Sequence, residues 1–127
     1  MATVAASIDA VKTFGDRAHV ITWTPLTTAD ADGGAIEMPG SADRSVQFTG
    51  TFGVGGTIIL QGSNVAAPVA GTDADWATLT DPQGNAISKT AAALEAVSEL
   101  TRWIRAKVTA GDGTTSITAR LLVKRNV

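Results

Sequence analysis

The chain has 127 residues, no cysteine, one histidine, and twelve acidic against ten basic side chains, for a formal net charge of −2. That length suits one domain and not two. The missing cysteine excludes disulfides, thiolate metal sites and thiol catalysis, and a slightly acidic balance is a weak footprint for nucleic acid.

The charge is unevenly spread. Up to Glu99 eleven acids stand against four bases, whereas Arg102, Arg105, Lys107, Arg120, Lys124 and Arg125 are opposed only by Asp112. The C-terminal quarter therefore reads as a basic module on an acidic body. The first sixteen residues lack the basic start and apolar run of a signal peptide, and no stretch approaches the roughly 20 apolar residues that span a bilayer. A soluble, unexported chain with no membrane partner is expected.

Residues 3 to 12 space Val4, Ile8 and Val11 as a weak helical face, but they also suit an extended segment. Residues 1–16 are accordingly assigned as an N-terminal extended arm or edge strand, ahead of a β-sandwich domain over residues 17–127. His19 to Thr24 alternates β-branched and aromatic residues, and Pro25 is expected to stop that strand. Thr27 to Gly34 reads as a loop, and a short strand through Ile36 and Met38 closes at Pro39 and Gly40.

Arg44 to Thr49 alternates, with Val46 and Phe48 inward and Arg44, Gln47 and Thr49 flanking them. Gly50 to Gly56 turns the chain, and Thr57 to Gln61 is a short apolar run suited to a central strand. Asn64 to Asp73 is a long surface loop, after which Trp76, Thr78 and Thr80 begin a strand ended by Asp81-Pro82 and Gly84-Asn85. Ala91 to Glu95 has the best helix propensity in the chain, yet among strands a short strand at Ala93 to Val97 or a single helical turn is expected.

Trp103 to Thr109 and Ser116 to Lys124 alternate strictly, and the turn chemistry of Ala110-Gly111-Asp112-Gly113-Thr114 predicts a long antiparallel hairpin. Its inner face would carry Ile104, Ala106 and Val108 against Ile117, Ala119, Leu121 and Val123. Its outer face would join Trp103, Arg105 and Lys107 to Thr118, Arg120, Leu122 and Lys124. The whole pattern specifies an all-β fold, an antiparallel β-sandwich or jelly roll.

Catalytic chemistry finds little footing. His19 would be the natural base of a hydrolase, but no serine sits in a nucleophile elbow, and a lone strand histidine is more often structural. Asp30-Ala31-Asp32-Gly33-Gly34 begins like a calcium loop, but Ser41 stands where an EF-hand requires its bidentate Glu. Those acids, like Asp73 and Asp75, read better as solvated loop carboxylates. Glu95 and Glu99 lack the aromatics of a sugar cleft, and Gly53-Val54-Gly55-Gly56 leads into a strand rather than a helix N-terminus, so it is a turn. The expectation is a protein that is not an enzyme, with no catalytic residue, no metal and no cofactor.

The unusual feature is a tryptophan among bases, residue types enriched where proteins meet. Trp103, Arg105, Lys107, Arg120 and Lys124 are the candidate partner-binding residues. The alternative is that a loop or the N-terminal arm of the same chain covers Trp103, while Trp23 and Trp76 belong to the core.

Four stretches carry a resemblance: Ser41-Ala42-Asp43-Arg44-Ser45-Val46-Gln47-Phe48-Thr49-Gly50-Thr51-Phe52-Gly53, Leu60-Gln61-Gly62-Ser63-Asn64, Trp76-Ala77-Thr78-Leu79-Thr80-Asp81-Pro82-Gln83-Gly84-Asn85 and Val108-Thr109-Ala110-Gly111-Asp112-Gly113-Thr114. The chain resembles small virion structural proteins of tailed bacteriophages, of the capsid decoration or cement type. It departs from them after Asn64, where Val65 to Ala74 replace a tight turn. The resemblance implies a protein made in the host cytoplasm and placed on the outer surface of the capsid, with the major capsid protein as partner and a homo-oligomer, trimer or dimer, as its state. From the charge balance no nucleic-acid partner is expected. The competing reading is a tail- or fibre-associated sandwich that binds a carbohydrate or a protein.

Overall fold

A computed structural model describes residues 3–11, 18–41 and 43–125, and alternating sequence becomes strand nearly throughout. In chain order the strands are β1 (Ser7–Ala10), β2 (Ala18–Leu26), β3 (Ile36–Glu37), β4 (Asp43–Thr51), β5 (Thr57–Ser63), β6 (Ala77–Thr78), β7 (Ser88–Lys89), β8 (Ala93–Ala96), β9 (Trp103–Ala110) and β10 (Ser116–Lys124). A single 3₁₀ turn, Asp73–Asp75, interrupts the long loop before β6.

Two antiparallel sheets pack face to face as a β-sandwich. Sheet I has the order β1-β2-β10-β4-β8, and sheet II the order β3-β9-β5-β6, with β7 also paired to β5. Between them lie Ile21, Trp23 and Leu26 from β2, Val46 and Phe48 from β4, Ile58 and Leu60 from β5, Ile104, Ala106 and Val108 from β9, and Ile117, Ala119, Leu121 and Val123 from β10. The alternation of each strand sends these residues inward, and each large side chain so buried contributes about 1.5–3 kcal/mol. Leu79 and Ile87 add to the same core from the loops around β6 and β7.

The expected hairpin does not form. The strands Trp103–Ala110 and Ser116–Lys124 have the inward faces read from the sequence, but β9 pairs with β3 and β5 while β10 pairs with β2 and β4. Residues 111–115 are thus an arch between sheets. Asp112 shapes it by accepting hydrogen bonds from the amide of Val54 (2.9 Å) and from the amide (2.8 Å) and hydroxyl (2.6 Å) of Thr114. The hydroxyl of Thr115 donates to the carbonyl of Phe52 at 2.7 Å. Those bonds tie the arch to the β4–β5 turn, a tertiary constraint that turn-type residues alone do not announce.

Other local readings are refined in the same way. β2 runs on through Pro25 to Leu26. Its β1 side is free beyond Thr22, and the β10 pairing shifts register between Ile117 and Ala119, so the missing proline N–H breaks no regular ladder there. Arg44 does not flank the apolar face of β4 but lies on it, in step with Val46 and Phe48 and 5% exposed. Its Nε donates to the carbonyl of Ser41 (2.8 Å), and Nη2 to the carbonyls of Met38 (2.8 Å) and Thr101 (3.1 Å).

Among the described residues the N-terminal segment lies at an edge: β1 pairs with β2, and Val4, ahead of it, reaches sheet II. There the amide of Val4 donates to Asp32 O and the amide of Gly34 donates to Val4 O. The boundary drawn at residues 16 and 17 lies outside the described residues. At the opposite side of the sandwich β8 adopts the short strand, not the helical turn, and the amide of Ser98 donates to Thr80 O in a link to the other sheet.

Candidate functional site

Because β9 and β10 belong to different sheets, the five candidate contact residues divide between opposite outer faces. Trp103, Arg105 and Lys107 project from sheet II, and Arg120 and Lys124 from sheet I. The single basic face with a tryptophan is therefore corrected to two surfaces of different character.

The outer face of sheet II is covered by its own chain. Arg105 is fully buried, its guanidinium carbon 4.1 Å from the centre of the Trp76 ring. Nε donates to Gln61 Oε1 at 2.9 Å, Nη1 donates to Ala70 O at 3.1 Å, and Asp32 Oδ1 is 3.9 Å from Nη1. Burial pushes the guanidinium pKa down, and the negative charges of Asp32 and Asp73 oppose that shift. Lys107 Nζ stands 3.6 Å from Asp32 and 3.5 Å from Asp73, bridging sheet and loop.

Residues 64 to 76 thus form a strap across sheet II. The indole of Trp76 donates to Val69 O (3.1 Å), and the amide of Val69 donates to Asp75 Oδ2 (2.9 Å). Trp76 is buried as expected, but beneath this strap rather than between the sheets. Asp32 is likewise no solvated loop acid, being 9% exposed. Trp103, half-buried, sits at the end of the strap where β9 pairs with Glu37 and Ser63. No sequence signal announced this: Val65-Ala66-Ala67-Pro68-Val69-Ala70 is apolar, yet Val65 (43%) and Val69 (57%) stay exposed, and the cover is made by the Ala70 carbonyl, Asp73 and the Trp76 ring.

The outer face of sheet I is open. The register places Val20, Leu122, Ser45 and Ala96 in one row across β2, β10, β4 and β8, and Thr22, Arg120, Gln47 and Leu94 in the next. A third row brings Thr118 beside Thr49, and the hydroxyls of Thr24 and Thr118 share a hydrogen bond at 2.7 Å. Leu122 is 42% exposed and Leu94 64%. Arg120 occupies the centre, on the middle strand, and donates to the hydroxyl of Thr49 at 3.2 Å; it has no ion pair among the described residues. Beside it a depression of about 220 Å³ is lined by Asp43, Arg44, Ser45, Leu122 and Lys124.

Glu95, Glu99, Glu37 and the histidine are absorbed into structure. Glu95 pairs with Lys89 at 3.1 Å. Burial alone would raise the Glu99 pKa, but the hydroxyl and amide of Thr80, both donating to its carboxylate, outweigh that and hold it below the usual range. His19 lies on β2 between Ala10 and Val123, with Nδ1 buried. A larger groove of about 550 Å³, at one end of the sandwich, runs past Glu37, Pro39, Asn64, Leu100, Thr101 and Arg102, and the Arg102–Glu37 ion pair occupies it. Comparison of the chain with protein-family models, with curated proteins and with solved structures finds no match.

Proposed function

We propose that this chain is a bacteriophage virion structural protein of the capsid decoration type, which attaches to the outside of the icosahedral shell through the outer face of sheet I and reinforces contacts between capsid subunits. The observation that carries this reading is the asymmetry of the sandwich. One outer face is crossed by a strap of the same chain, whereas the other is a five-stranded surface with exposed leucines and a central arginine that has no ion pair among the described residues. Rigid β-structure with one open face is what a static adhesive component requires.

Two further points support it. With β6 and β7 taken as one edge unit, the strand order β2-β10-β4-β8 over β3-β9-β5-β6 supports a jelly-roll reading of the sandwich, an architecture used by viral capsid and lectin domains. Fold alone does not assign function, so the weight rests on the face, and beside it on the resemblance read from the sequence, whose four stretches fall on β4, β5, β6 and the β9–β10 arch. The lectin-like reading is less favoured because Trp23 and Trp76 are buried and Trp103 half-buried, which presents no fully open indole for sugar stacking.

A dimer or trimer on a symmetry axis of the shell would repeat the contact and multiply its strength. The test is electron microscopy of virions from the phage that encodes the chain, with and without its gene. The expected result is density over the shell that disappears with the gene. Density on the tail instead would overturn the proposal.

A further inference from the structure

We infer that the occupant of the sheet I face is a different protein chain that presents a carboxylate ringed by apolar side chains, and not a second copy of this chain. The inference deepens the decoration reading and rests on it for the choice of probe.

The chemistry of the face selects the partner. Arg120 stands on the central strand, in a row whose other members are Ser7, Thr22, Gln47 and Leu94, all uncharged. Among the described residues its guanidinium makes a single hydrogen bond, to a threonine hydroxyl, and a guanidinium matches a carboxylate in a two-pronged geometry. Leu122 and Val20 in the neighbouring row, and Leu94 at the β8 edge, supply an apolar surround that would exclude water from such a bond. The acids of the face, Asp9 and Asp43, lie at its margins on β1 and at the start of β4.

The same placement argues against self-pairing. A two-fold axis through the middle of the face would set Arg120 against its own copy, and like charges brought together out of water repel strongly. A copy docked by some other surface would generate an open chain of molecules unless the rotation closed.

Size is consistent with a contact made many times over. Five strands about 4.8 Å apart and a nine-residue central strand define a face of about 20 Å by 30 Å, roughly 600 Å². That is below the roughly 800 Å² per partner of a standard interface, so one contact is modest and a lattice of them is not.

The experiment measures binding of wild type, Arg120→Glu, Leu122→Asp and Val69→Asp to purified shells of the encoding phage assembled without this chain, by co-sedimentation at two salt concentrations. Val69 lies on the strap of sheet II and serves as the control. Sedimentation of each free protein and its circular dichroism accompany the assay. The expected result is a loss of at least about tenfold in affinity for Arg120→Glu and Leu122→Asp with unchanged folding, wild-type binding that weakens as salt rises, and an unaffected control.

Wild-type binding that both sheet I substitutions leave intact would overturn this face as the attachment surface, here and in the proposed function, while leaving the decoration role itself in place. No binding by wild type would overturn both. A wild-type oligomer that Leu122→Asp disperses would show that a second copy is the occupant, and would overturn the choice of partner.

Discussion

Single residues in this protein hold the connections between strands more than the strands themselves. Asp112 is the clearest case: the hydroxyl of Thr114 first, then the amides of Val54 and Thr114, lower its carboxyl pKa to about 2. The folded pKa lies below the unfolded value of about 3.9, so its stabilising effect is complete above that value and is lost as the pH falls toward 2. The stability gap between wild type and Asp112→Ala, measured by denaturant unfolding, is expected to be full at pH 6 and to shrink between pH 4 and pH 2. A gap independent of pH would show that the carboxylate charge is not what ties the arch down.

Arg44 makes a different kind of connection, a buried cation satisfied by carbonyls of residues 38, 41 and 101. Arg44→Lys keeps the charge but cannot reach three carbonyls from one fixed fork, and is expected to lose about 2–4 kcal/mol, read from the denaturant midpoint. Gly33 permits a close approach between the loop that receives Val4 and the interior of the sandwich. A Cβ there would lie 2.7 Å from Ala106 O and 2.8 Å from Trp23 Cδ1, so the crossing of Val4 onto sheet II depends on that residue having no side chain.

At the scale of elements, the strap over sheet II and the arch between sheets decide which surfaces exist. Arg105→Ala removes the group that stacks on Trp76 and bonds Ala70, and leaves Asp32 with only Lys107 opposing it. The expected outcome is a loss of about 2–4 kcal/mol together with faster amide exchange over residues 65–75, while β4 and β10 stay protected. Uniform loss of protection would mean that the strap is not a separate unit.

These elements also mark where the sequence was readable. Period-two alternation made the strands and their inward residues plain, from Ile58 and Leu60 to Ile117 through Val123, because a half-buried strand must alternate. Alternation says nothing of which strand lies alongside, and Ala110 to Thr114 suits an arch as well as a hairpin, so the sequence does not show that β9 and β10 belong to different sheets. The burial of Arg105 is illegible for a related reason: an arginine on the outward side of a strand is ordinarily at the surface, and the apolar residues 65–70, with Val65 and Val69 exposed, do not announce the Trp76 ring and Ala70 carbonyl that cover it. At β8 the helix-forming run Ala91 to Glu95 yielded to pairing with β4, as tertiary context commonly overrides propensity.

At the scale of the molecule, the sheets are laced at both sides, by Val4 reaching residues 32–34 and by Ser98 reaching Thr80. The first lacing is testable by truncation. Deleting residues 1–10 strips β1 from β2 and takes Val4 and Ala6 off the core. Thermal unfolding is expected to shift down by several degrees, about 4 °C or more, with increased aggregation at the freed β2 edge. An unchanged midpoint would reduce the arm to an ornament.

The same arrangement sets how the protein answers a mechanical load. β1 and β10 flank β2 and both run antiparallel to it, with Ala10 and Val123 both opposite His19. Tension between the two ends of the chain therefore pulls β1 and β10 in opposite senses along β2. The ladder hydrogen bonds lie across that direction, so they bear force together in shear instead of opening one after another like a zip. Such a sheet resists stretching far better than it would if its terminal strands could be peeled apart.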